Sequence, residues 1–162
     1  YHFGGRRGLV KAVLAKHEVD IERRRHEMLD AYEQRGEDDL RALAAALVEP
    51  IAAELATEGG PGYLQLVADL YNRPNPTFEP GAADDPTTSL GRWRQLVRPL
   101  LSPEAVRLHR RFDSLRFAVS EVARRSRSGR RDHRLFVSQL TDLVTAFLTA
   151  PVSEETRRLI RR

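Results

Sequence analysis

Tyr1-His2-Phe3-Gly4-Gly5-Arg6-Arg7-Gly8-Leu9-Val10-Lys11-Ala12-Val13-Leu14 reads as the end of one helix, a glycine break and the start of another. Gly4 and Gly5 can take positive φ and close a helix on the aromatics Tyr1 and Phe3. Leu9, Val10, Val13 and Leu14 then restart an apolar period of 3.6 residues. The stripe continues through His17, Ile21, Met28 and Tyr32, which predicts one helix from about Arg6 to Arg35. Glu18, Glu22, Arg23, Arg25 and Glu33 fall on its polar side, and Gly36 is placed to end it.

Further along the chain the same rhythm recurs. Asp38 or Asp39 caps a second helix to about Thr57, alanine-rich and interrupted by Pro50, a kink or boundary. Gly59-Gly60-Pro61-Gly62 reads as a break. Tyr63, Leu66, Val67, Leu70 and Tyr71 form the next apolar stripe, stopping before Arg73-Pro74. From Pro74 to Pro86 the chain is rich in Pro, Gly and Asp and reads as a loop. Thr88 or Ser89 caps a short helix carrying Leu90, Trp93, Leu96, Val97 and Leu100. Ser102-Pro103-Glu104 starts a helix expected to run to Ser126. Another follows from about Asp132 to Thr149, stopped by Pro151, and a last one starts at Ser153. The expected fold is all-α, with about seven helices, no strand and no internal repeat.

Composition excludes several classes. The 162 residues are enough for one core without covalent staples. Cysteine is absent, so neither a disulfide framework nor a thiolate metal site is available. No apolar run is long enough for a bilayer, no membrane partner is expected, and the cytoplasm is the expected compartment. The net charge of +4 conceals an asymmetry: residues 1–89 hold 10 Lys and Arg against 16 acids, and residues 90–162 hold 17 against 7. The densest basic run, Arg124-Arg125-Ser126-Arg127-Ser128-Gly129-Arg130-Arg131, has the composition of an exposed loop without aromatics to stack on bases. No HExxH, GxSxG, Walker loop or dinucleotide fingerprint occurs, so no metal, cofactor or catalytic residue is assigned. His109 and Asp113, four residues apart on one helix face, make a helix-stabilising pair, or else share a metal or form a base-and-orienter pair.

The opening string resembles the TetR family of bacterial transcriptional regulators, in which an aromatic-His-Phe-x-x-Lys/Arg-x-x-Leu sequence closes the recognition helix of a helix-turn-helix and opens the long fourth helix. Here that string covers Tyr1 to Leu9. The resemblance implies that residues 1–8 end a DNA-binding head whose remainder lies upstream of Tyr1, and that 9–162 form the ligand-binding and dimerisation domain. Tyr1, His2 and Arg6 are then the DNA-binding residues, with Arg6 on phosphate beside a helix N-terminus. The implied protein is a homodimer, paired through a four-helix bundle, that binds operator DNA and is released by a small-molecule effector.

The aromatics Tyr63, Tyr71, Trp93 and Phe112 lie on the stripes of three expected helices. With Val67, Leu70 and Val97 they can line a cavity for an apolar or aromatic effector, with His17, His109 and Arg116 as polar groups at its wall, or they can be plain core. Leu115, Val119, Phe136, Leu140, Leu143 and Phe147 are expected to face the partner subunit. A helical interaction bundle without effector, and a small enzyme built on His109 and Asp113, are the alternative readings.

Overall fold

The structure, a computed structural model, describes residues 4–74 and 84–162. Tyr1 and His2, two of the three expected DNA-binding residues, lie outside the described residues. Among the described residues there are eight α-helices and no strand: α1 Gly5–Arg35, α2 Leu40–Ala52, α3 Gly60–Tyr71, α4 Ser89–Val97, α5 Pro103–Arg107, α6 Arg110–Ser126, α7 Arg134–Thr149 and α8 Glu154–Ile160. Short 3-10 turns at Ala53–Ala56 and Arg98–Leu100 extend α2 and α4.

Helix α2 is the centre of the molecule. It packs against α1, α4, α6 and α7, because Leu43, Ala44, Ala46, Leu47, Val48, Ile51 and Ala52 cover nearly its whole circumference with apolar surface. A helix apolar all round belongs inside, and its alanines let neighbouring backbones approach closely. Helix α1 crosses one side of this centre, burying His17, Ile21, Arg25, Leu29 and Tyr32. Its first two turns contribute no buried residue and stand largely clear of the body, Leu9 being half exposed, whereas Leu14 on the next turn packs against the core. At 1.5 Å per residue the whole helix is roughly 45 Å long.

Local chemistry sets the boundaries. Asp39 accepts the Ala42 N–H at 3.0 Å, Thr88 that of Gly91 at 3.0 Å, Ser102 that of Ala105 at 3.1 Å and Ser153 that of Thr156 at 3.2 Å. Each side chain satisfies a donor that a helix start leaves without an intrahelical partner. Gly36 ends α1 at φ 66°, as its position implied.

Two expectations are corrected. The glycine-rich break is the first turn of α3, with Pro61 at its start. The helix expected over 103–126 is two helices, broken where His109 takes the left-handed region at φ 58°. Among the described residues no single helix is long and apolar enough to cross a membrane.

Candidate functional site

Pro50 creates the first local requirement of the site. Lacking an N–H, it cannot donate to the Ala46 carbonyl one turn earlier in α2. Arg25 of α1 supplies the missing donor, its Nε–H reaching that oxygen at 3.1 Å, while Nη1 donates to the Ser89 hydroxyl at the start of α4 at 3.0 Å. One guanidinium thus ties α1, α2 and α4 together. Arg25 is only 5% exposed, and burial pulls its pKa below the ordinary arginine value, an effect that Glu22 and the phenols of Tyr71 and Tyr63 partly oppose. Among the described residues no carboxylate forms an ion pair with it. Glu22, the nearest acid by charge, is engaged elsewhere: it accepts the Ser89 backbone N–H at 2.7 Å and lies 3.3 Å from Nε2 of His26.

Beside the guanidinium is a cavity of about 120 Å³. Tyr63, Val67 and Tyr71 of α3 form one wall, Ile21 and Arg25 of α1 another, and Leu115 and Val119 of α6 a third; Glu18 and Glu22 also border it. Burial, first of all, raises both phenols, Tyr71 to about 12, with Glu18 adding to the effect in each case. Both are neutral phenols at neutral pH.

A second buried cluster adjoins it. Nδ1 of His17 lies 2.6 Å from Oε2 of Glu54, with both side chains buried, and the Thr57 hydroxyl donates to the same oxygen at 2.8 Å. The His17 ring stacks on Tyr63 with centroids 4.8 Å apart. Gly60 makes this cluster possible, because a Cβ there would stand 1.8 Å from the Glu54 carbonyl oxygen. The 3-10 turn that carries Glu54 can therefore fold directly onto the start of α3.

The sequence-predicted site residues are brought together only in part. Tyr63, Val67 and Tyr71 line the cavity. Trp93 and Val97 do not: both are wholly buried in the core, and the Trp93 indole N–H donates to the Leu43 carbonyl at 2.7 Å. Phe112 packs against Tyr71 with centroids 6.0 Å apart, away from the wall. Leu70 is half-buried and also off it. His17 is turned to Glu54. Arg116 is exposed and pairs with Asp113 at 3.2 Å. His109 is exposed, and its link to Asp113 is the backbone bond from the Asp113 N–H to the His109 carbonyl at 3.0 Å, not a base-and-orienter pair.

Of the residues expected to face a partner, Leu115, Val119 and Leu140 are core of this subunit. Helices α6 and α7 are already covered on their inner sides by α3 and α2. Leu143 is 43% exposed, Phe147 is half-buried against Phe117, and Phe136 lies under the Arg125 guanidinium.

Sequence reasoning missed Arg25 and Glu54. Arg25 was assigned to the polar face although it stands four residues from both Ile21 and Leu29, on the stripe itself. A charge in phase with a buried stripe, near a helical proline that orphans a carbonyl, was the available signal. Among the described residues no three His, Asp or Glu side chains come together as a metal site.

Comparison of the chain with protein-family models, curated proteins and solved structures finds no match.

Proposed function

We propose that this chain is the ligand-binding and dimerisation body of a TetR-like, ligand-responsive transcription regulator, with the DNA-reading helix joined to the N-terminal end of α1. The observation that carries this reading is the position of the cavity. It borders the middle of the longest helix at Ile21, Glu22 and Arg25, while the first two turns of that helix stand largely clear of the body. A helix held at its centre and free at one end is a lever. A ligand that binds one arrangement of α1, α3 and α6 better than another shifts the tilt of that lever by its differential affinity.

The regulator is proposed to be a homodimer. The outward sides of α6 and α7 carry Phe117, Leu143 and Phe147, and Leu135 at the start of α7 is 83% exposed. This apolar surface supplies the contact expected of a four-helix bundle, with Leu115, Val119 and Leu140 supporting it from beneath. In the dimer, tilting both α1 helices changes the separation of two DNA heads and hence their fit to a two-fold operator. Arg6, exposed on the first turn of α1, is assigned to phosphate, and Tyr1 and His2 to the DNA backbone. Release from the operator by ligand follows from the family resemblance.

The test is an electrophoretic shift with the full-length gene product against duplexes selected from a random pool. A near-palindromic site should be enriched. Arg6→Ala should weaken binding to all duplexes alike and lower the salt slope by about one. Failure to retain any duplex, from a protein that is monomeric by light scattering, would overturn the reading.

A further inference from the structure

We infer that the cavity between α1, α3 and α6 is a receptor for a small monocarboxylate, whose carboxylate is received by the buried Arg25 guanidinium and whose apolar part lies against Ile21, Val67 and Leu115. This deepens the proposed function by naming the ligand class, and rests on it only for the consequence at DNA.

The first ground is charge. Arg25 is buried with two neutral acceptors, the Ala46 carbonyl and the Ser89 hydroxyl, and among the described residues it has no ion-paired carboxylate. Burying a cation without an ion-paired partner is unfavourable, and with Nε and Nη1 engaged the guanidinium keeps Nη2 as a donor that can give a carboxylate charge-assisted hydrogen bonds. The second ground is placement: the guanidinium borders a cavity whose remaining wall is largely aliphatic and phenolic. The third is the state of the two acids beside it. Glu22 is held by Ser89 and His26, and Glu18 is exposed, so neither forms an ion pair with the guanidinium, and the charge of Glu22 offsets its burial only in part.

Size narrows the class. A cavity of about 120 Å³ is slightly smaller than the void of about 150 Å³ that accommodates benzene in a protein core. The ligand's apolar part is therefore a short branched chain or at most one six-membered ring.

An isosteric series tests the assignment by calorimetry and thermal shift: 3-methylbutanoate, its amide and the corresponding primary ammonium, with benzoate as the one-ring acid. The acids should bind at least about tenfold tighter than the amide. Arg25→Lys should weaken the acids by about tenfold while leaving the amide unchanged, because a single ammonium cannot hold the Ala46 carbonyl and the Ser89 hydroxyl and still present planar donors to the carboxylate. Ser89→Ala, which keeps the charge, should preserve the preference for acid over amide and guards against an Arg25 variant that does not fold.

Equal binding of acid and amide would overturn the inference, as would tighter binding of the ammonium, which would assign the site to Glu18 and Glu22. No binding of either acid by about 10 mM would do the same. Tight binding of the ammonium together with operator release would sink this inference and leave the regulator standing. Acid binding without any effect on DNA would do the reverse.

Discussion

Replacing His17 with phenylalanine keeps the ring that stacks on Tyr63 and removes the nitrogen that lies 2.6 Å from Glu54. Glu54, 2% exposed, would then keep the Thr57 hydroxyl as its only side-chain donor among the described residues. Breaking a buried pair from one side typically destabilises by about 3–5 kcal/mol. Thr57 offsets about 1 kcal/mol of this, so a loss of roughly 2–4 kcal/mol is expected. For a domain of this size that lowers Tm by about 4–16 °C. Glu54→Leu alone should be destabilising too, while the His17→Phe, Glu54→Leu double variant should recover most of the loss, because both buried polar partners leave together. Trp93, the only tryptophan and wholly buried, reports global unfolding in urea alongside far-UV circular dichroism. A His17→Phe loss below about 0.5 kcal/mol, or additivity of the two single variants within that margin, would refute the view that this pair fixes α1 to the end of α2.

Other substitutions probe separate parts of the structure. Gly60→Ala places a Cβ 1.8 Å from the Glu54 carbonyl oxygen, so it should destabilise by about 3 kcal/mol or more; an unchanged urea midpoint would contradict the close approach. Leu143→Glu, on the outward side of α7, should convert a dimer near twice 18.4 kDa into monomer in size-exclusion light scattering, and a monomeric parent would remove the proposed interface. Burial first and Glu22 second raise the Glu18 pKa above its ordinary 4.5, so the folded state holds that proton longer and loses relative stability as pH rises through the folded value. Glu18→Gln should flatten this decline above about pH 4.5, and parallel curves for parent and variant would exclude it. Arg25→Met should cost about 2–4 kcal/mol alone but less in a Pro50→Ala background, where residue 50 regains the N–H that the Ala46 carbonyl needs; additive effects in urea melts would disprove that link.

The helices were legible because their signals are local. Asp39, Thr88, Ser102 and Ser153 are hydroxyl or carboxyl residues just ahead of apolar periods, and each is found capping. The break at His109 had no such marker, since neither glycine nor proline is there and a histidine with positive φ is uncommon. The site was legible only as a list of stripes. Periodicity shows that Tyr63, Tyr71, Trp93 and Leu140 are turned inward, but not which of them meets a void, a neighbouring helix or another subunit. Tyr63 and Tyr71 meet the cavity, whereas Trp93 and Leu140 are packed in the core. That distinction depends on how α2 is enclosed on several sides at once, which no single helix records. The charged members were hidden for the opposite reason: hydropathy assigns arginine and glutamate to water, and only tertiary partners reverse that for Arg25 and Glu54.

Under the proposed function, those two residues give a cavity of modest volume a route to a helix of 31 residues. Arg25 is shared between α2, where proline leaves a carbonyl without its helical donor, and α4, where Ser89 starts a helix. Two turns earlier on the same face, His17 is fixed to Glu54 at the far end of α2. Helix α1 is thus held to α2 at two points, one of which borders the cavity and one of which does not. Under the proposed function, a carboxylate that draws the guanidinium toward the cavity loosens the first point and leaves the second as a pivot. The free N-terminal turns lie beyond that pivot, so a small displacement at Arg25 appears there with opposite sense. On that reading His17 and Glu54 would set the direction of the response, and Arg25 whether there is one.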